Sequence, residues 1–268
     1  MSNRQTLYKR TVLVTHGNAL LSEALCEELI ETHRCQVVYV STSEQLAKLQ
    51  QLNRAVKVFD CNLTNRQRVA ELATDLYEQC DPINLIIHQD VALEGSTGRQ
   101  EQFVSQLSDD ILGFVHILTS FVPAMLRHGG GRIVSIKNTI SAAKALVDTQ
   151  SEYYDLVKSI SHSSQESSAG SDPDSILLST VYCEQNEFTK APQKPSMTST
   201  NLTFNLNLTE RELAQRILAG IKSEKRIVQV SARRSLFELC SNSLTQLAFA
   251  GLGKLQLRKT QKIPIKVQ

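Results

Sequence analysis

Apolar and polar positions alternate between two periods along the first half of the chain. Thr11-Val-Leu-Val-Thr15 is a short apolar run, the pattern of a strand buried on both faces. From Ala19 to Ile30 the apolar residues Leu20, Leu21, Ala24, Leu25, Leu29 and Ile30 recur at helical spacing. The same exchange repeats downstream. Strands are predicted at 36–40, 56–59, 84–87 and 132–136. Helices are predicted at 43–52, 65–79 and 103–128, the last broken near Pro123. Strands alternating with helices of ten or more residues imply βαβ units, a parallel sheet and helices on both faces.

The second half is less regular. Residues 151–168 begin as a helix and end in a serine-rich run, whose side chains compete for backbone hydrogen bonds. Asp172-Pro173-Asp174 is a turn, and 175–181 reads as a sixth strand. Residues 184–208 show no period and hold two prolines, the pattern of a long substrate-lid loop. Thr209 with Glu212 three positions on is a capping box opening a helix. Residues 226–230 form a seventh strand, and 235–257 a final amphipathic helix. The expected architecture is one Rossmann-like α/β domain over 1–268, with about seven parallel strands and no transmembrane span.

Composition changes this picture little. Six cysteines lie far apart with no C-x-x-C pair, which disfavours a zinc site. With a polar start to the chain, they suggest a reducing cytoplasm. Aromatics are 5% and tryptophan is absent, which argues against a stacking platform for single-stranded nucleic acid. Charge is uneven. Residues 222–268 hold ten Lys/Arg and two acids, a balance of +8, leaving −6 on the rest of a chain of net +2. This basic segment, with the helix and tail at 235–268 as its end, is either a solvated tail or a contact for an anionic membrane, a nucleic acid or an acidic partner.

Candidate chemistry centres on Tyr154 and Lys158. Four apart, they share a helix face. A lysine ammonium favours the phenolate, so such a tyrosine can exchange a proton with an alcohol while a nicotinamide exchanges hydride.

The order and spacing of residues 11–230 resemble the short-chain dehydrogenase/reductase family. The resemblance rests on Thr15 ending strand one and on Asp60 after strand three, where the family has an acid near the adenine. It rests also on Ile111-Leu112-Gly113, on Gly130-Gly131-Arg132-Ile133-Val134-Ser135-Ile136, and on the Y-x-x-x-K of Tyr154 and Lys158. It implies catalysis by Tyr154 and Lys158, with Asn138 or Thr139 orienting a carbonyl. It implies a nicotinamide cofactor near Thr15, Gly17, Asn18, Thr42, Asp60 and His88. A carbonyl or alcohol substrate and pairing with like subunits, as homo- or hetero-oligomers, are also implied.

The family's glycine loop, G-x-x-x-G-x-G, reads His16-Gly17-Asn18-Ala19-Leu20-Leu21-Ser22 here. Its glycines permit a tight turn, close approach to the pyrophosphate, and helix–strand packing. Leu20 crowds the second role; Gly17 could shift the turn by one residue. Asn-Asn-Ala-Gly after strand four is His88-Gln89-Asp90-Val91, and His88 is either a groove-lining residue or a satisfied strand-end histidine. Ser41-Thr42-Ser43 carries no acid for a ribose hydroxyl, which tolerates NADP(H) and does not favour NAD. Two functions follow: a non-catalytic or cofactor-altered scaffold or regulatory subunit (a pseudoenzyme), or an NADP(H)-dependent oxidoreductase acting through Tyr154 and Lys158.

Overall fold

A computed structural model describes residues 7–15, 17, 19–46, 55–89, 100–138, 150–165, 176–184, 208–223 and 225–231. All of them fall in one compact unit, Met1–Thr200 with Leu208–Ala232. A second unit, Asn201–Asn207 with Arg233–Gln268, lies outside the described residues. So do most of the expected lid at 184–208, the helix at 235–257 and the basic tail.

The described chain runs β1 (Thr11–Thr15), α1 (Ala19–Glu31), β2 (Gln36–Ser41), α2 (Ser43–Leu46), β3 (Val56–Asp60), α3 (Arg66–Gln79), β4 (Ile83–Gln89), α4 (Gln100–Arg127), β5 (Gly131–Asn138), α5 (Gln150–Gln165), β6 (Ile176–Glu184), α6 (Glu210–Lys222) and β7 (Ile227–Ser231). The seven strands form one sheet in the order β3-β2-β1-β4-β5-β6-β7. Every pairing is parallel. This is the doubly wound arrangement that the alternating periods imply.

Strand periodicity builds two cores, because successive side chains leave opposite faces. Val12, Val14, Val37, Tyr39, Leu85 and Ile87 pack with α1 and α6. Leu13, Val38, Val40, Ile86 and Ile133 pack with α3, α4 and α5. Among the described residues two helix starts carry side-chain caps, one of them the capping box expected at Thr209 and Glu212. Asn65 accepts the Arg68 N–H, and the Thr209/Glu212 capping box is complete.

Two expectations fail. α4 is not broken at Pro123 but runs through it. A helix-interior proline costs roughly 3 kcal/mol. Phe121, Val122, Ala124 and Met125 are buried around it, and each fully buried apolar side chain stabilises by roughly 1.5–3 kcal/mol, so packing wins. Within α4, Ser108–Arg127 is also long and apolar enough to cross a membrane. Here Phe114, Ile117, Leu118 and Phe121 fill the core instead.

The serine-rich end of α5 stays helical to Gln165. Ser161 and Ser163 hydroxyls donate to the carbonyls of Val157 and Ile160, which occupies them without breaking the helix. Gly129 and Gly130, at φ +90° and +86°, turn the chain from α4 into β5, a backbone that side-chain-bearing residues rarely adopt.

Candidate functional site

The strand order reverses direction between β1 and β4, and ligands of open α/β sheets bind beyond the carboxyl ends of the strands at such a point. Thr15, Ser41, Asp60 and Gln89 end β1 to β4 there.

Beneath this edge lies a buried web of neutral polar groups. The Gln89 amide Nε2 donates to the Ser22 hydroxyl at 2.9 Å, and its backbone N–H donates to the Thr15 hydroxyl at 3.3 Å. Thr15 Oγ1 is 2.9 Å from His88 Nδ1. The Tyr39 hydroxyl is hydrogen-bonded to Ser22 and Ser41, and burial pushes its pKa up. All six residues are buried. The web sits at the third glycine position of the loop, where Ser22 replaces the glycine and converts helix–strand contact into a hydrogen bond.

His88 is 3% exposed, and burial, followed by the charge of Lys137, holds its pKa down at about 3. The imidazole is therefore neutral at pH 7. Thr15 Oγ1 accepts from the Gln89 N–H and shares one further hydrogen bond with His88 Nδ1, whose direction follows the ring tautomer. Nε2 is buried and has no partner. The ring stacks on Phe114 at 4.6 Å. His88 is bonded at the strand end through one nitrogen and is among the residues lining the neighbouring pocket.

That pocket, about 190 Å³, is lined by Thr42, Asn62, His88, Gln89, Asp109 and Asp110, among others. Its far wall is α4, held close by Gly113, where a Cβ would stand 3.1 Å from Leu63 Cβ. His116 Nδ1 lies 2.9 Å from the Leu63 carbonyl and fixes the same wall. Asp60 is not free to reach inward: its carboxylate accepts the Ser43 N–H at 3.0 Å and the Ser43 hydroxyl.

The other expected site residues are placed as follows. Gly17 is buried; His16 and Asn18 lie outside the described residues. Leu20, in the first turn of α1, is 53% exposed. Asn138 ends β5, paired with Cys183 of β6, and Thr139 lies outside the described residues. Tyr154 does not line the pocket. Its hydroxyl accepts from Arg226 at 3.4 Å, and that guanidinium lies 4.7 Å from the centre of its ring. Lys158 is exposed.

The neighbour on α5, Tyr153, is the more deeply buried of the two tyrosines. It is 7% exposed, meets Phe114 edge-on at 4.7 Å, and carries Lys137 over its ring at 5.5 Å. Tyr153 and Val157 are the buried apolar positions of the helix, Tyr154 is half-buried and packs against the same core, and Lys158 is exposed.

Among solved structures the chain is similar to a hydroxysteroid dehydrogenase from Escherichia coli, at 15% identity, covering 87% of this chain and 99% of that one, with a TM-score of 0.59. It is also similar to a short chain dehydrogenase from Burkholderia cenocepacia in complex with NADP, at 17% identity, 94% and 99% coverage, and a TM-score of 0.54. These likenesses carry the fold alone. Among curated proteins, an uncharacterised oxidoreductase of Staphylococcus epidermidis is 21% identical over 133 residues, which are 48% of this chain and 57% of that protein. The family model described as short chain dehydrogenase matches residues 10–153, more than half of the sequence, and the chain belongs to that family.

Proposed function

We propose that this chain keeps the nucleotide end of the short-chain dehydrogenase groove, has given up tyrosine–lysine hydride chemistry, and serves as a ligand-responsive scaffold or regulatory subunit. The observation that carries this reading is the engagement of the Tyr154 hydroxyl by Arg226, with Lys158 in solvent. A general acid must be within hydrogen-bond reach of the proton it moves.

The fit of a nicotinamide dinucleotide divides the site in two. At the adenosine end, the pocket offers His88, Thr42 and Asn62 around an open volume. At the pyrophosphate end, the family's second glycine lets backbone approach phosphate. Leu20 stands there with its side chain in solvent, between the first turn of α1 and any approaching anion. At about 190 Å³ the pocket is also below the roughly 300–1,000 Å³ of ordinary small-molecule sites. The residues fit a nucleoside and not the whole dinucleotide.

Partners of such a subunit would be copies of itself or active relatives, with the basic segment at 222–268 as a docking element. The five described cysteines are free, in keeping with a reducing cytoplasm.

The test is a thermal shift with NADP(H), NAD(H) and adenosine nucleotides on wild type and Leu20→Gly, together with nicotinamide absorbance against a carbonyl panel. A bound ligand at a hundredfold excess over Kd stabilises by roughly 2.7 kcal/mol. The expected result is a shift with adenosine nucleotides, none with dinucleotides, a gain of dinucleotide binding in Leu20→Gly, and no turnover. Turnover by wild type that Tyr154→Phe abolishes would establish the other reading, an NADP(H)-dependent oxidoreductase.

A further inference from the structure

At the amino end of the sheet, away from the nucleotide pocket, the fold gathers charge of one sign. Residues 7–10, before β1, and 32–35, between α1 and β2, form two turns that are locked together. The Lys9 N–H donates to the His33 carbonyl at 2.9 Å, the Gln36 N–H to the Arg10 carbonyl at 2.9 Å, and the Cys35 thiol to the Leu7 carbonyl at 2.9 Å. The two turns carry Lys9, Arg10 and Arg34 and no acid. Lys222, in the last turn of α6, adds a fourth cation. Burial and then the charge of Lys222 hold the His33 pKa below its usual value, which places that ammonium beside the same corner.

Two of these cations stand where glycine is easier. Lys9 and Arg34 have φ of +56° and +55°, the left-handed region in which a Cβ is crowded. Both are exposed. Helix dipoles account for a part of the charge. The carboxyl ends of α1 and α6 each offer roughly half a negative charge, and the four cations exceed that. Neighbouring acids are engaged elsewhere: Glu28 and Glu31 lie 3.6 and 2.9 Å from Arg211, and Asp81 accepts from Gln36 at 3.0 Å. Beside the cations Tyr8 is 56% exposed, with Lys9 Nζ 5.4 Å from the centre of its ring. An exposed tyrosine among cations suits the boundary between lipid headgroups and water, where its ring and its hydroxyl both find partners. A nucleic-acid base would need the face of the ring, on which Lys9 already sits.

We propose that this corner is a peripheral membrane contact, in which Lys9, Arg10, Arg34 and Lys222 meet the headgroups of an anionic leaflet and Tyr8 enters its interface. The contact is electrostatic and reversible, since a few cations and one aromatic ring fall short of an anchor. It does not depend on the nucleotide pocket, which opens at the opposite end of the strands.

Cosedimentation of the full chain with vesicles tests it, using phosphatidylcholine alone and phosphatidylcholine with an equal part of phosphatidylserine. Binding is expected only with phosphatidylserine. It should disappear between about 0.1 and about 1 M salt, as the screening length shrinks from about 10 to about 3 Å. The double variant Lys9→Gly, Arg34→Gly removes two cations and relieves two left-handed positions. Its thermal midpoint should hold or rise while its partition onto the vesicles falls roughly thirtyfold. Loss of binding in a variant at least as stable as wild type cannot be blamed on unfolding. No sedimentation with either vesicle, or equal sedimentation with both, overturns the proposal. Binding that the double variant leaves unchanged places the contact outside this corner and also overturns it. Duplex DNA retained by wild type and released by the double variant, with no vesicle binding, overturns it in favour of a nucleic-acid surface.

Discussion

The two ends of the sheet bury polar groups in opposite ways. At the amino end, Arg132 near the start of β5 is buried, and its guanidinium donates to the Ile221 carbonyl, to Ser179 Oγ at 2.9 Å and to the Lys225 carbonyl at 3.4 Å. It draws the carboxyl terminus of α6 onto β5 and β6, where a cation also meets the negative end of the helix dipole. At the carboxyl end, the Thr15–His88–Gln89–Ser22 web carries no charge at neutral pH, adjoins a pocket and leaves one ring nitrogen unused. A charge spent on backbone carbonyls is architecture. A neutral web beside an open pocket keeps polar atoms at the edge where ligands of such sheets bind.

The sharpest way to break that contrast is Arg132→Ala. It strips the last carbonyls of α6 of a charged donor in a buried setting. The loss should be about 3 kcal/mol, read as a fall in the urea midpoint with unchanged slope. Arg132→Met keeps the packed stem and should recover a part of it. A loss below about 1 kcal/mol for both would mean that α6 is held by its apolar face alone.

The web should announce itself through pH. Burial lowers the His88 pKa from 6.5 to about 3 in the folded chain. The native state then binds fewer protons than the unfolded one below pH 6.5. Stability present at neutral pH is therefore lost as pH falls from 6.5 toward 3, by up to about 1.4 kcal/mol per pH unit. His88→Gln should flatten this slope whatever it does to stability at pH 7. His33, also held below its usual value by burial and then by Lys222, titrates in both proteins and cancels in the difference. Parallel stability–pH curves for the two would show that His88 is not buried neutral.

How far the sequence reveals each end follows from what encodes it. The sheet was legible because Val12 to Val14 and Val37 to Val40 carry a period that only buried parallel strands need. Pro123 misled because a local rule on helix breaking says nothing of Phe121 and Met125 packing on either side. Spacing puts Tyr154 and Lys158 on one face of α5, and only the fold shows that face to be half-buried at Tyr154 and exposed at Lys158. Tyr153 and Val157 are the buried apolar positions of the same helix. The Asp60–Ser43 clamp was beyond reach, since it joins residues 17 apart through a strand register that no local pattern specifies.

The smallest expected effect gives the finest distinction. Ser22 stands where the family's loop has a glycine, so a reversion might be thought to repair the chain. The web argues otherwise. Ser22→Ala removes the acceptor of Gln89 Nε2 and the partner of Tyr39, at about 1 kcal/mol. Ser22→Gly loses the same bonds and adds a few tenths for glycine inside α1, so it should be the less stable of the two, by about 1.5 kcal/mol below wild type. Thermal unfolding of the three proteins ranks them directly. A glycine variant as stable as wild type would mean that Gln89 finds its partners without Ser22, and that the web is a consequence of the lost glycine rather than a structure built in its place.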